Sequence, residues 1–280
     1  MKTKCFMQTL NDMKYGLVKL TADFKISDKN EVADAIFPLP RRGSDLSKYL
    51  EIDKAVLTSL ASFNAVTVLI SRKGFRKNAI AFRASDGGIM LLFHPVLSTL
   101  KLGNNEARIN KILQFYSKNI FEMLETAIKY QSEEKLSGIP DKSFFEDFSI
   151  GKLRAVNSVV DSLVKRLAET VLNRELSVVV DTNVASKLGK ISEAEVDFVV
   201  SEILAIREYY GESDNARLQI GCYENCLAVV LIDKADDNSS VKDNHYLNVF
   251  LSLMQVIDIG SYAGIDGSGE LVIKAYIPFV

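Results

Sequence analysis

Ser192-Glu-Ala-Glu195-Val-Asp-Phe-Val-Val-Ser-Glu202-Ile-Leu-Ala-Ile206-Arg-Glu-Tyr-Tyr210 is the stretch on which the fold of this chain turns. Ser192 is placed to cap a helix, and Glu195 three residues on completes a capping-box pattern. The residues after it are apolar enough to be buried. Working outward, Leu176 to Asp181 reads as a buried strand before this helix. Leu218 to Cys222 and Leu227 to Asp233 read as a hairpin after it. A polar loop, Asp236 to Asn244, leads into an apolar-faced helix from Tyr246 to Ile257, and Leu271 to Phe279 closes as a strand. Leu153 to Leu172 is amphipathic, with Val156, Val159, Val160, Leu163, Val164 and Leu167 on one side. The expectation for 145–280 is a two-layer domain with helices on one face of a mixed sheet.

The N-terminal third has a different pattern. Gly16-Leu-Val-Lys-Leu, a Thr-Ala-Asp turn and Phe-Lys-Ile26 alternate like paired strands. Helical stretches follow to Leu60. Strand-like runs come next at Ala65 to Ile70, Ala79 to Ala84 and Ile89 to Val96. Arg72-Lys73-Gly74 and Ser85-Asp86-Gly87-Gly88 separate them as turns. Between these regions, Asn105 to Lys135 reads as a helix. Ile109, Leu113, Tyr116, Ile120, Met123, Ala127 and Tyr130 recur along it at steps of four and three, forming one stripe. Ser137-Gly138-Ile139-Pro140 ends it. The overall expectation is an α+β chain with domains at 1–97 and 145–280 and a helical linker at 98–144.

Bulk properties narrow the function. The chain has 280 residues, 48% hydrophobic and 25% charged, which suits about two globular units. A net charge of -2 supplies no global field for nucleic acid or an anionic membrane, so neither is expected as a partner. No apolar run reaches the roughly 18 residues that a bilayer demands, and the start lacks an apolar signal core. The chain therefore reads as cytoplasmic and not membrane-inserted. Cys5, Cys222 and Cys226 make an odd count without framework spacing, the pattern of reduced thiols. Cys222 and Cys226 fall near a hairpin tip, where a metal pair would have no second pair of ligands.

The C-terminal region resembles the catalytic, ATP-binding domain of sensor histidine kinases, a GHKL-type ATPase domain entered at Phe148-Ser-Ile-Gly-Lys-Leu153. Those kinases carry Asn-Leu-Leu-x-Asn-Ala-x-Lys-Tyr where this chain has Glu202-Ile-Leu-Ala-Ile206-Arg-Glu-Tyr-Tyr210. The second Asn, whose oxygen reaches Mg²⁺, is Ile206, which has no atom for a hard cation. Glu202 has a carboxylate but sits one turn away. The family's Asp-x-Gly-x-Gly, whose Asp accepts from the adenine amino group, becomes Asp233-Lys-Ala235-Asp-Asp237. Asp233 is retained as a vestigial adenine-contact position, or as an ordinary turn former. The Gly-rich phosphate loop becomes Asp243-Asn-His245-Tyr-Leu-Asn248-Val. Asp236, Asp237 and Asp243 would oppose a triphosphate by on the order of 1 kcal/mol each.

Residues 16–33 with Gly43-Ser-Asp-Leu-Ser-Lys-Tyr-Leu50 and the closing strands resemble a PAS sensor domain, which opens strand, turn, strand, Asn and a small residue. The family's phosphoacceptor has no clear counterpart. His245 falls in the phosphate loop, and His94 heads His-Pro-Val-Leu-Ser-Thr-Leu100 on a strand pattern, with no reason to call it a haem ligand. The 109–130 stripe corresponds to the second helix of a dimerisation hairpin whose first helix has no place before Leu102. The resemblance implies a cytosolic, catalytically inactive, histidine-kinase-like signalling protein. Such a protein would be a homodimer through that stripe, would engage a response regulator or kinase, and would have no cofactor and no catalytic residue. Two other readings stay open. One is a divergent active histidine kinase using Mg·ATP and phosphorylating a response regulator. The other is a GHKL-like interaction module, as in anti-sigma-type regulation.

Overall fold

The computed structural model describes residues 11, 14–61, 64–99, 112, 153–169, 176–211, 215–236 and 244–280. The chain divides into two compact units, Met1–Phe145 and Glu146–Val280. Both are mixed α/β with largely antiparallel sheets.

In the first unit, β1 (Gly16–Leu20) and β2 (Ile26–Lys29) form a hairpin. α1 (Glu31–Ile36) and α2 (Lys54–Ser59) follow, then β3 (Ala65–Arg72), β4 (Phe75–Arg83) and β5 (Ile89–Phe93). The sheet order is β2-β1-β5-β4-β3, every pair antiparallel. Lys73 and Gly74 turn between β3 and β4 with φ of 51° and 80°, the left-handed pair that a two-residue hairpin loop needs. The first turn runs longer than its sequence suggests. Phe24 adopts φ 62°, so β2 begins at Ile26 instead of including Phe24. Gly43 to Leu50 forms only a 3₁₀ turn, Ser47–Tyr49, anchored by Ser47 N–H donating to the Asp45 carboxylate at 2.8 Å.

Asn30 is fully buried and ties this unit together. Its Oδ1 accepts from Leu17 N (2.9 Å) on β1 and from Ala33 N (3.0 Å), capping α1. Its amide donates to the Tyr15 carbonyl (2.8 Å) and to Asn11 Oδ1 (3.1 Å). Val18, Leu20, Ala79, Ala81, Leu91 and Phe93 form the core with Phe37, Leu46 and Leu57. Their alternates Leu17, Ile80, Phe82, Met90 and Leu92 are buried as well, so the central strands are covered on both faces.

In the second unit, β6 (Leu153–Ala155) precedes α3 (Val156–Glu169) and β7 (Leu176–Val180). β8 (Lys190–Ser192) leads into α4 (Glu193–Tyr210). β9 (Ala216–Tyr223), β10 (Cys226–Lys234), α5 (His245–Val256), β11 (Gly260–Ile265) and β12 (Glu270–Pro278) complete it. The sheet order is β11-β12-β10-β9-β7, with β7 parallel to β9 and the other pairs antiparallel. α4 packs on β10, β12 and α5. Alternate residues Leu227, Val229, Leu231 and Asp233 of β10 are buried, while Ala228, Val230 and Ile232 are half-exposed. One face of this sheet is therefore covered and the other meets solvent.

Several expectations change. The helix expected from Leu153 starts at Val156, because Leu153 to Ala155 pair with β8. The strand expected to be buried over Leu176 to Asp181 is an edge strand in which only Leu176 is buried. Val179 and Val180 are each 39% exposed. An edge strand lacks the second neighbour that would cover it. β11 was expected only as the first arm of a hairpin turning at Gly267-Ser-Gly269, without bounds, and it runs antiparallel to β12. The seven-residue stripe Ile109 to Tyr130 falls outside the described residues. Ile112, off that stripe, is described as helical and buried.

Candidate functional site

Ser192 Oγ accepts from Glu195 N–H at 3.3 Å, which starts α4 where the sequence places it. α4 is buried around almost its whole circumference. Its polar side chains therefore need partners inside the protein. Near its start, Asp197 takes a forked ion pair from Arg166 of α3, with Arg166 Nη1 to Oδ2 at 2.9 Å. Burial works against the Arg166 charge, but the hydrogen bonds and charge of Asp197, with Glu193 beside it, more than restore it. The Arg166 pKa is raised as a result.

The second buried pair lies at the other end of α4. Arg207 Nε donates to Asp233 Oδ2 at 3.0 Å, joining α4 to the last turn of β10. The side chains are 3% and 0% exposed. Asp233 Oδ1 also accepts from Lys234 N–H at 2.8 Å. The next amides are committed within the unit too. Ala235 N–H donates to the Gly269 carbonyl (2.9 Å) and Asp236 N–H to the Tyr210 carbonyl (2.8 Å). Gly211 ends α4, its N–H donating to the Arg207 carbonyl at 2.7 Å, and bridges to Ala235. A Cβ on Gly211 would stand 2.3 Å from Asp233 Oδ2 and 2.9 Å from the Arg207 carbonyl oxygen, so only glycine is accommodated there.

The positions singled out in the sequence thus converge in part. Glu202 and Ile206 lie one turn apart on α4, 3% and 2% exposed. Asp233 is tied to the residue next to Ile206. Asp236 sits at the same end. Asp237 and Asp243 fall outside the described residues. His245 opens α5, its ring 5.2 Å from that of Tyr246, and Tyr246 packs edge-on against Tyr209 at 4.7 Å. Arg207 and Gly211 were not singled out by the sequence reading. The available signal was the arginine standing where the quoted kinase pattern has alanine.

His94 lies one residue past β5, not within it, and is fully buried. Its Nδ1 accepts from Val96 N–H and Leu97 N–H, each at 3.1 Å, so it caps the 3₁₀ turn Leu97–Thr99. Its ring meets Tyr15 edge-on at 5.1 Å. Cys222 and Cys226 do flank the β9–β10 turn, but Cys222 pairs with Leu227 and Cys226 with Tyr223. Successive register positions point to opposite faces, so the two thiols do not converge on one ion. Burial raises the Cys222 pKa, which disfavours its thiolate. Among the described residues no group of three or more His, Cys, Asp or Glu side chains is placed to hold a metal ion. Among them, too, no helix is long and apolar enough to cross a membrane.

No family model matches the chain, and no curated protein sequence matches it. Similar solved structures are histidine kinases. The Acinetobacter baumannii histidine kinase AdeS is 8% identical over 65% of this chain and 88% of its own, with a TM-score of 0.34. A blue-light activated histidine kinase of Erythrobacter litoralis is 12% identical over 97% of both chains, also at 0.34. The histidine kinase domain of the E. coli osmosensor EnvZ is 15% identical over 45% of this chain and 87% of its own, at 0.31. Likenesses at these TM-scores carry no weight on residue roles.

Proposed function

We propose that this chain is a cytoplasmic, histidine-kinase-like signalling protein that acts by regulated protein binding and does not use Mg·ATP. The strand order β2-β1-β5-β4-β3, with the helices inserted between β2 and β3, supports a PAS-like first unit. The second unit's order, with α4 against β10 and β12, supports a GHKL-like fold. The observation that carries the loss of nucleotide chemistry is Ile206. It occupies the helix position where the resemblance calls for a metal-holding amide, and it is a hydrocarbon side chain 2% exposed. A hard cation needs oxygen ligands. The residues present therefore do not fit Mg·ATP.

Calorimetry with Mg·ATP tests this, and no saturable heat is expected. A dissociation constant below about 100 μM, roughly 5.5 kcal/mol of binding, abolished by Asp233→Ala, would falsify the reading and restore the divergent-kinase alternative. The same proposal makes the chain a homodimer through Ile109, Leu113, Tyr116, Ile120, Met123, Ala127 and Tyr130, with a response regulator or kinase as its partner. Light scattering should give twice the chain mass. It should give the single-chain mass for a folded Leu113→Glu/Ile120→Glu variant. A wild type that is monomeric at tens of micromolar removes the dimer from the proposal.

A further inference from the structure

We propose that the tip of the β3–β4 hairpin is a docking point for anionic lipid bilayer surfaces, with the Phe75 ring as the inserting group and Arg72, Lys73 and Lys77 as the cations that meet the headgroups. The tip reads Arg72-Lys-Gly-Phe75-Arg-Lys77, one aromatic among four cations. The sheet sets it apart. β3 and β4 stay paired to their last position, with Arg72 opposite Phe75. β5 pairs with β4 only from Ile80 to Arg83, so the tip lies beyond the reach of that third strand. Phe75 stands at its end and is 57% exposed. A single exposed apolar side chain is ordinary on a protein surface. The charges around this one give it a partner.

Opposite residues of an antiparallel pair share a face, so Arg72 and Phe75 stand side by side, with Ile70 and Lys77 next behind them. Ile70 is buried in the core and Lys77 is half-buried, which puts a cation between the apolar tip and the body of the unit. Lys73, in the turn itself, is exposed. The Arg72 guanidinium lies 5.2 Å from the centre of the Tyr49 ring, which the Lys48 ammonium also approaches at 5.2 Å. Its Nη1 donates to the neutral Pro38 carbonyl, so its charge is not cancelled. Two acidic groups lie nearby. Glu51 is paired with Arg76 at 2.9 Å, and Asp45 accepts from Ser47 and lies within range of the Lys48 charge. Glu51 thus offsets Arg76 and leaves Arg72, Lys73 and Lys77 to attract an anion. An apolar ring at the outermost point with cations set just behind it matches a bilayer, in which acyl chains lie beneath a layer of anionic headgroups. A single-stranded nucleic acid instead uses several stacking rings along a basic groove, and this tip offers one ring on a convex turn. Exposed charges act over about 10 Å at 0.1 M salt, so the chain's net charge of -2 does not decide the attraction here. None of these residues belongs to the second unit, so the inference stands apart from whether that unit binds Mg·ATP.

The chain contains no tryptophan, so Phe75→Trp places a single fluorescent reporter at the tip. The full chain is sedimented with phosphatidylcholine vesicles, with and without phosphatidylserine, at about 0.1 M salt. Wild type and Phe75→Trp should bind only the vesicles that contain phosphatidylserine, and the reporter's emission should shift to the blue on them. Phe75→Ala keeps every charge, and Lys73→Glu/Lys77→Glu keeps the ring. Each should weaken partitioning by at least about tenfold. Melting curves confirm that the variants are folded. If the double variant is not, Lys73→Glu alone, at the exposed turn position, replaces it. Equal binding to neutral vesicles overturns the proposal, as does undiminished binding of Phe75→Ala or an unshifted emission on vesicles that carry the protein. Emission that responds to a single-stranded oligonucleotide and not to vesicles also overturns it, and assigns the tip to nucleic acid.

Discussion

The two sheets solve the same problem differently. Each is five-stranded and must place polar groups in an apolar interior. The first unit uses neutral groups. Asn30 satisfies two amides and a carbonyl, and His94 satisfies two more amides. The second unit uses charge, with Arg166 on Asp197 and Arg207 on Asp233. The difference teaches where each unit is vulnerable. A neutral hub that is removed leaves ordinary amides seeking water. A buried ion pair that is halved leaves a charge with no way out.

The largest expected effect follows from that contrast. Asp233→Ala takes the carboxylate away from Arg207 Nε, leaving a guanidinium 3% exposed with Glu208 Oε1 at 3.7 Å from its Nη1, and should destabilise the second unit by up to about 3–5 kcal/mol. Adding Arg207→Met to that variant should recover much of the loss, because an apolar side chain replaces the stranded charge. Asn30→Ala leaves Leu17 N–H, Ala33 N–H and the Tyr15 carbonyl without this partner and should cost the first unit about 2–3 kcal/mol. Denaturant unfolding read separately for each unit gives both numbers. The contrast breaks if Asn30→Ala costs as much as Asp233→Ala.

Local chemistry made much of this fold readable. Gly74 announces a hairpin because glycine adopts without strain the positive φ that a two-residue loop needs, and Lys73 follows it into that region. Ser192 with Glu195 announces α4 because capping acts over three residues. β6 and β8 escaped notice because three residues cannot display a period. β11, Gly-Ser-Tyr-Ala-Gly-Ile, was legible only through the Gly267-Ser-Gly269 turn after it, because its glycines blunt the alternation that would mark its bounds. The site divides in the same way. Ile206 and Asp233 were readable as positions in a pattern. The Arg207–Asp233 pair was not, because its partners are 26 residues apart and meet only once β10 is laid against α4. The side on which Val179 and Val180 are exposed likewise depends on β7 being an edge, a property of the sheet and not of the strand.

The smallest effect sharpens the comparison at two turn aspartates, one in each unit. Asp86, between β4 and β5, is pushed up by partial burial. The Lys19 hydrogen bond, Gly88 N–H and the Lys19 charge overcome that push and hold its pKa below the ordinary carboxylate value. Asp266, between β11 and β12, is held low by the Ser268 hydroxyl and by the N–H groups of Glu270 and Ser268, with no cation involved. In both cases the folded pKa is depressed. Each carboxylate therefore adds stability above its unfolded value of about 3.9, and that stability is lost as pH falls through the lower folded value. Asp86→Asn and Asp266→Asn should each lower the melting temperature of their unit slightly at pH 7. Below about pH 4 the gap to wild type should shrink. Salt separates the two. The Asp86 gap should narrow with rising ionic strength, since half of that side chain faces water and Lys19 is its charge partner. The Asp266 gap should persist, since hydrogen bonds from a hydroxyl and two amides are not screened. Melting curves of both variants at low and at about 1 M salt decide it. Equal salt sensitivity at the two positions would show that Lys19 is not what distinguishes Asp86 from Asp266.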